Sequence, residues 1–436
     1  MTQKSCDVLV IGAGMGGLCA AALLSHAGYQ TLVTERLPRI GGRCATIEYK
    51  GFKCAAGAIG PEMGGLLEET FRQVGAEFDV RPAGPPSYLI KGKICEVPPK
   101  GGFRALFSAA TSDQAELERV MGAISGALSW MVPSESISLR EWLLQYTQNE
   151  SILGIFQAMV SATTMLNADE LPAREYFLFL KKLRGYRGFG FCPGGTIALP
   201  RALAKVIEKH GGAVWTRSPA VQITTDKGIV RGALIDKEGQ KIEVHASAVI
   251  SNCGPQKTVE LVGSEHIDKG YLKKLEEGVR AVMLIAIQLA SDKPLLSHNY
   301  LIVTGARRIN ALFQPTHVCP EIAPPGKHLL VAGAAPASTS APFNARAELD
   351  LCFQDLRDIL PGFEAQAEVL LTGTFHGEWP AMHAWPGDDM PQKTPIVNLY
   401  NVGDGVKSPG MIALPAVAET AHRVAEDVKR RLSPAQ

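Results

Sequence analysis

Asp7-Val-Leu-Val-Ile-Gly12-Ala-Gly14-Met15-Gly-Gly17, followed after a small apolar stretch by Thr31-Leu-Val-Thr-Glu35, decides the fold of this chain. Asp7 to Ile11 is a β-branched and aliphatic run too short for a helix and closed at once by glycine, so it predicts a buried parallel strand. Gly12, Gly14 and Gly17 form G-x-G-x-x-G at the point where a helix should begin. The spacing serves a tight turn, a close approach of a pyrophosphate to the backbone, and close helix–strand packing, with phosphate at the helix N-terminus. Leu18, Ala21, Ala22 and Leu24 continue that helix, and Gly28 suits the residue that releases it. Glu35 ends the second strand, where a carboxylate can accept hydrogen bonds from a ribose. Strand, glycines, helix, strand and acid in register predict a dinucleotide-binding unit.

Glu35-Arg36 followed by Gly41-Gly42-Arg43 distinguishes among dinucleotides. It resembles the extended fingerprint of the FAD-dependent amine oxidase and phytoene desaturase superfamily, closer to the phytoene desaturase-like branch. The glycine pair allows a backbone approach, and Arg43 offers a planar fork of donors to phosphate oxygens. Gly51 to Ala58 resembles the family segment that runs from a hairpin onto the flavin. The resemblance implies that Gly57, Ala58, Ile59 and Gly60 line the isoalloxazine edge. Ala55 stands where many relatives carry Asp, so a hydrogen bond placed there in the family is not expected from this side chain.

The resemblance also covers the middle and the end of the chain. A loop at Pro193-Gly-Gly195, a helix from about Ile197 to His210, and short strands at Val221 to Thr224, Val230 to Ile235 and Ile242 to Val244 return the chain to the nucleotide domain. The family places the backbone of the residue matching Val221 at the adenine. Asn398 to Val402 reads as a strand, Gly403-Asp404 ends it, and a helix runs from roughly Ile412 to Leu432 with Pro415 in its first turn. This resembles the second flavin motif, which implies Asp404 at the ribityl or pyrophosphate region and Met411 and Ile412 facing flavin N1 and C2=O. His383, in the Trp-Pro-rich segment before it, is the candidate catalytic acid or base.

The implied fold is α/β (α+β): a discontinuous Rossmann-like FAD-binding domain (1–80, 185–260 and 371–436) and a substrate domain of mixed sheet plus helices (81–184 and 261–370). In the latter, Val282 to Leu289 reads as a strand with only apolar residues from Ala281 through Ile287; Tyr186, Phe189 and Phe191, which closely follow the helical patches of Ser151 to Leu183, are candidates for an aromatic-lined tunnel. Many amine oxidases carry a lysine on this strand's counterpart. Its absence lowers the amine-oxidase reading.

Composition sets outer limits. The 436 residues carry 44 Lys plus Arg against 43 Asp plus Glu, a net charge of +1, so no nucleic-acid partner is expected. Nine cysteines without a C-x-x-C pair argue against a disulfide framework or a metal site and for a reducing compartment, the cytoplasm, with peripheral membrane contact left open. No segment approaches the roughly 18 uninterrupted apolar residues of a spanning helix. The expected function is FAD-dependent hydride transfer from a substrate C–H to flavin N5, with non-covalent FAD, desaturating or isomerising an apolar alicyclic or isoprenoid-like substrate. Oxygen, a quinone or another carrier would reoxidise the flavin. Amine oxidation is one alternative, and a non-catalytic prenyl-binding escort of the same fold is another.

Overall fold

The computed structural model describes residues 2–98, 101–134, 136–339 and 342–434. Its first sheet is built around the strand Thr2–Ile11, which pairs in parallel with Thr31–Thr34 on one side and with Gln240–Ser251 on the other. Ala213–Trp215 adds a parallel strand beyond Thr31–Thr34, and Leu399–Asn401 pairs in parallel with Gln240–Ser251. Val8, Leu9, Val10 and Ile11 are buried on both faces, which is why this run lacks polar alternation. Thr2 to Ser5, by contrast, are exposed and extend the strand past the apolar segment.

The strand Gln240–Ser251 departs from expectation. Ile242 to Val244 reads as a short strand that stops at polar His245, yet the structure holds one continuous strand through to Ser251. His245 and Ser247 lie on its exposed face while Val244, Ala246 and Ala248 are buried. Two different neighbours sustain it: Ile229–Lys237 pairs antiparallel with its first half, and Thr2–Ile11 runs alongside in parallel.

The helix Met15–His26 covers one face of this sheet and packs on the C-terminal helix Ala413–Arg431. Leu18, Leu23, Val417, Ala421, Val424 and Val428 share one buried cluster. Alanines on both helices permit the close approach, and Pro415 occupies the first turn, where no intrahelical N–H is required.

The second sheet runs Ala367–Phe375, Leu284–Ser291, His328–Ala334, Ile309–Phe313, Tyr300–Val303, Ser87–Ile90 and Lys93–Glu96. Its helical cover includes Gln114–Ser129, Glu150–Thr164 and Ala173–Leu183, whose buried faces meet in a cluster containing Phe107, Phe156, Tyr176 and Phe177. The strand Tyr186–Phe191 then pairs with Glu62–Gly64 and Arg81–Pro82 in a small sheet between the larger ones. Sequence reading placed the second-sheet strand at Val282; it begins at Leu284, because Val282 instead forms an isolated bridge to Met382.

Among the described residues no helix is long and apolar enough to cross a membrane, and no cluster of ligating side chains could hold a metal ion.

Candidate cofactor and active site

Both glycine turns are locked together. The Gly41 N–H donates to Ala13 O (2.7 Å), and Gly14 bridges to Gly41. Gly12 and Gly41 have φ of +99° and +101°, a region open to glycine. Met15 is buried at the head of the helix that follows. A Cβ on Gly14 would come 2.5 Å from Asn252 Oδ1, so this turn admits a close neighbour only through its backbone. Asn252 in turn donates through Nδ2 to Val402 O (3.1 Å), tying the first turn to the Gly403-Asp404 turn.

Glu35 is 7% exposed and fully engaged on one side: the Ala13 N–H donates to Oε2 and the Leu37 N–H to Oε1, each at 2.9 Å. Its carboxylate thus sits against the glycine turn at the end of the second strand. Arg36 points away, in a loose surface contact with Glu378 at 4.0 Å. Val221 falls at a bulge, skipped between the Ala220 and Gln222 pairings with the neighbouring strand, which leaves its backbone groups outside the ladder.

Arg43 crosses from the second turn to the C-terminal motif. Its Nη1 lies 2.6 Å from Asp404 Oδ2 and donates to the Pro380 and Ala381 carbonyls. His383 Nδ1 is 2.7 Å from Asp404 Oδ1, and its backbone N–H donates to the same oxygen at 3.3 Å. Asp404 is thereby held between two basic groups. Burial pushes its carboxyl up, but the charges of Arg43 and His383 outweigh that penalty and keep it well below the usual carboxylate range. The structure places His383 in this ionic group, packed over Gly254 and Gly405.

Gly57 and Ala58 pass over Arg43: the Ala58 N–H donates to Arg43 O (2.9 Å), and a Cβ on Gly57 would lie 2.8 Å from the same oxygen. Gly60 abuts the strand Tyr186–Phe191, where a Cβ would reach 1.9 Å from Gly190 O. Gly42 sits 3.5 Å, measured from an ideal Cβ, from the Gly14 backbone. Ile59 packs against the aromatic and aliphatic cluster of the second sheet. Across from this segment, Met411 and Ile412 are buried at the start of the C-terminal helix, which has no side-chain cap and no acidic residue in its first turn. The positive end of the helix is therefore not neutralised locally.

Three side chains of the site escaped sequence reading. Gln288, one residue past the apolar run on its strand, is 4% exposed and meets the backbone of Ala55 twice: Ala55 N–H donates to Oε1 (2.9 Å) and Nε2 donates to Ala55 O (2.8 Å). Ala55 is thus held through its backbone by a side chain of the second sheet. Lys407, with no side-chain exposure, donates to the Ala384, Trp385 and Asp404 carbonyls and to Asp389, clamping the His383 segment against the Asp404 turn. Burial pushes Asp389 up to about 7 despite Lys407. Glu62 stands in the small sheet beside Gly60.

Replacing Gln288 with Leu should lower stability by about 2 kcal/mol, two buried hydrogen bonds at roughly 1 kcal/mol each, since both Ala55 backbone groups lose their partner. Thermal unfolding reads this directly. An unchanged midpoint would mean that the Ala55 groups find other partners.

An uncapped helix start, two interlocked glycine turns, a buried carboxylate at the second strand's end and an Arg43–Asp404 pair fit an extended dinucleotide whose diphosphate lies over backbone N–H groups. The site and the two-sheet frame define a flavoprotein. Residues 15–429 match the family model for flavin-containing amine oxidoreductases, and the chain belongs to that family. A solved oxidoreductase from Methanosarcina mazei shares 31% identity with a TM-score of 0.86, covering 96% of this chain and 100% of that one. An uncharacterised protein of Methanocaldococcus jannaschii is 28% identical over 94% of this chain and 96% of its own length. The zeta-carotene-forming phytoene desaturase of Myxococcus xanthus is 26% identical over 56% of this chain, which spans about half (53%) of that enzyme. A putrescine oxidase at 16% identity and TM-score 0.71 shares the fold. The protein is an FAD-dependent oxidoreductase.

Proposed function

We propose that the enzyme dehydrogenates, or isomerises with flavin assistance, an apolar alicyclic or isoprenoid-like substrate. The observation that carries this reading is the aromatic wall beside Gly57–Gly60. Tyr300 stacks on Phe313 at 4.5 Å between ring centroids, and Phe189 meets Phe191, Tyr300 and Phe313 at 5.5, 6.0 and 5.8 Å. Such a wall recognises apolar or unsaturated carbon by area and ring contact rather than by charge. The strand Leu284–Ser291 brings no cation to it, and its polar side chain Gln288 is committed to Ala55.

Bound FAD supplies the acceptor for a hydride and its two electrons. The chain's own residues then have separable tasks. Gly12 and Gly14 would give the diphosphate a backbone cradle, Gly17 keeps the helix close against the strand, and Glu35 would hold a ribose hydroxyl while keeping its grip on the Ala13 N–H. Arg43 and Asp404 take the diphosphate and ribityl region, His383 fixes the orientation of Asp404, and Val221 meets the adenine through its free backbone. Gly57 to Gly60 would line the ring, and the helix start at Met411 and Ile412 would favour negative charge on it. His383 thus acts as a positioning residue.

The test is anaerobic bleaching of the yellow protein by a panel comprising 15-cis-phytoene, all-trans-retinol, cyclohexylamine and putrescine. Loss of the oxidised flavin band with an isoprenoid and not with the amines is expected. Bleaching by an amine alone, with hydrogen peroxide and a carbonyl product appearing under oxygen, overturns the proposal in favour of amine oxidation.

A further inference from the structure

We propose that Glu62 is the acid–base catalytic residue of this enzyme, a carboxylate that accepts the proton released by the substrate beside the flavin ring. The proposal rests on the reading above that the ring lies along Gly57–Gly60.

Glu62 begins the strand Glu62–Gly64 and pairs with Phe189, one of the rings of the aromatic wall. It lines a small cavity together with Phe179, Leu183, Tyr186, Met411 and Ile412. One cavity therefore joins this carboxyl group to the helix start assigned to the ring. Only Pro61 separates Glu62 from Gly60, so ring-side backbone and acid arrive on the same short segment.

Its surroundings set it apart from the structural carboxylates. Glu175 accepts the Gly410 N–H at 2.6 Å, and Glu68 binds both the Gly64 N–H and Arg187. Among the described residues no cation pairs with Glu62, and no neighbouring side chain donates to it. Lys182 borders the same cavity, but its ammonium donates to Pro409 O (2.8 Å). Arg187, on the adjoining strand, is occupied by Glu68 at 2.6 Å. Tyr186 and Tyr300 face Glu62 as neutral phenols, each pushed up by burial and by the carboxylate. Burial pushes Glu62 itself up to about 7, so both of its protonation states are accessible near neutrality. A half-buried acid with no cation partner costs stability when it ionises, and the one hydrogen bond that favours its charged form comes from its own backbone.

In the dehydrogenation, one substrate carbon gives up a hydride, carrying two electrons, to oxidised flavin. The neighbouring C–H gives its proton to the Glu62 carboxylate, and the electron pair of that bond becomes the second bond of the new C=C. The carboxylic acid then returns the proton to water. Negative charge arising on the reduced ring also favours the protonated acid, so reduction without any substrate should draw a proton to Glu62.

The experiment counts protons taken up when the purified holoprotein is photoreduced by two electrons in weak buffer with an indicator dye, from about pH 6 to about pH 9. Wild type should take up more protons per flavin than Glu62→Gln near and above neutrality, and Glu62→Asp should retain the excess with its pH dependence displaced. Equal uptake in wild type and Glu62→Gln overturns the proposal. If Glu62→Gln loses its flavin, the Glu62→Asp profile decides: an unchanged curve overturns the proposal. Any panel member that bleaches wild type should bleach Glu62→Gln about 10²-fold more slowly; an equal rate also overturns it. Should no panel member bleach wild type, the substrate assignment fails while the proton count still decides on Glu62.

Discussion

Gly17→Ala should yield a colourless protein that is about 2 to 3 kcal/mol less stable than wild type. An ideal Cβ at this position lies 2.2 Å from Gly12 O and 3.1 Å from Val10 Cγ1. The first contact is with backbone, so no rotamer change relieves it. The Met15–His26 helix has to back away from the Thr2–Ile11 strand, which opens the turn through Gly12 and Gly14 and disturbs packing on the C-terminal helix. Flavin content by absorbance and the unfolding midpoint measure both effects. Gly122→Ala is the control: this exposed helical glycine has nothing within 4 Å of an added Cβ, and the substitution should raise stability by a few tenths to about 1 kcal/mol. A yellow, normally stable Gly17→Ala protein would show that the turn has room that its atoms do not reveal.

Asp404→Asn should cost about 3 kcal/mol and lose flavin as well. The amide keeps the shape of the side chain but leaves Arg43, whose side chain is 26% exposed, without its anion 2.6 Å away, and removes the charge that holds His383. The sign of the pH dependence follows from the direction of the shift. Asp404 is depressed in the folded state, so its contribution is complete above the ordinary aspartate range, about pH 4, and fades only as acid brings the pH down toward the depressed value. The gap in unfolding midpoint between wild type and Asp404→Asn should therefore be constant from neutral to mildly acidic pH and narrow in stronger acid. Glu62→Gln should behave in the opposite sense. The raised acid weakens wild type as pH climbs toward 7, so the variant gains relative stability on the alkaline side. A gap for Asp404→Asn that closes near neutrality would mean the carboxylate is not held ionised by its neighbours.

The features legible in the sequence are those whose physics is local. Val8 to Ile11, the glycine spacing and Glu35 lie within a single strand–helix–strand unit, and each residue type answers a requirement of its immediate backbone. Gly403-Asp404 was legible for the same reason, as a turn between a strand and a helix. Glu62 was not, because its character comes from Phe179, Tyr186, Tyr300 and Met411, which the topology brings to it from distant segments. Nothing in Gly-Pro61-Glu62-Met-Gly64 says that this glutamate lacks a cation. Gln288 lay one residue beyond an apolar run, and its partner is a backbone rather than a side chain. The one available signal was a polar residue on a strand buried along nearly its whole length. Lys407 offered a comparable clue three residues after Asp404, but only its carbonyl partners at Ala384 and Trp385 reveal that it is buried.

The two hydrogen bonds between Gln288 and Ala55 bear on how reactants reach the interior. They stitch the hairpin that follows the second glycine turn onto the strand Leu284–Ser291, next to the edge of the second sheet. Parting the sheets like a clamshell would strand a buried amide and two peptide groups at once, a steep penalty for every catalytic cycle. The helices Glu150–Thr164 and Ala173–Leu183 take no part in these two bonds, so a shift of their side chains carries no such penalty. Widening the interior for a larger reactant should then come from trimming side chains such as Phe179 and Leu183, which border the Glu62 cavity, and not from loosening this seam.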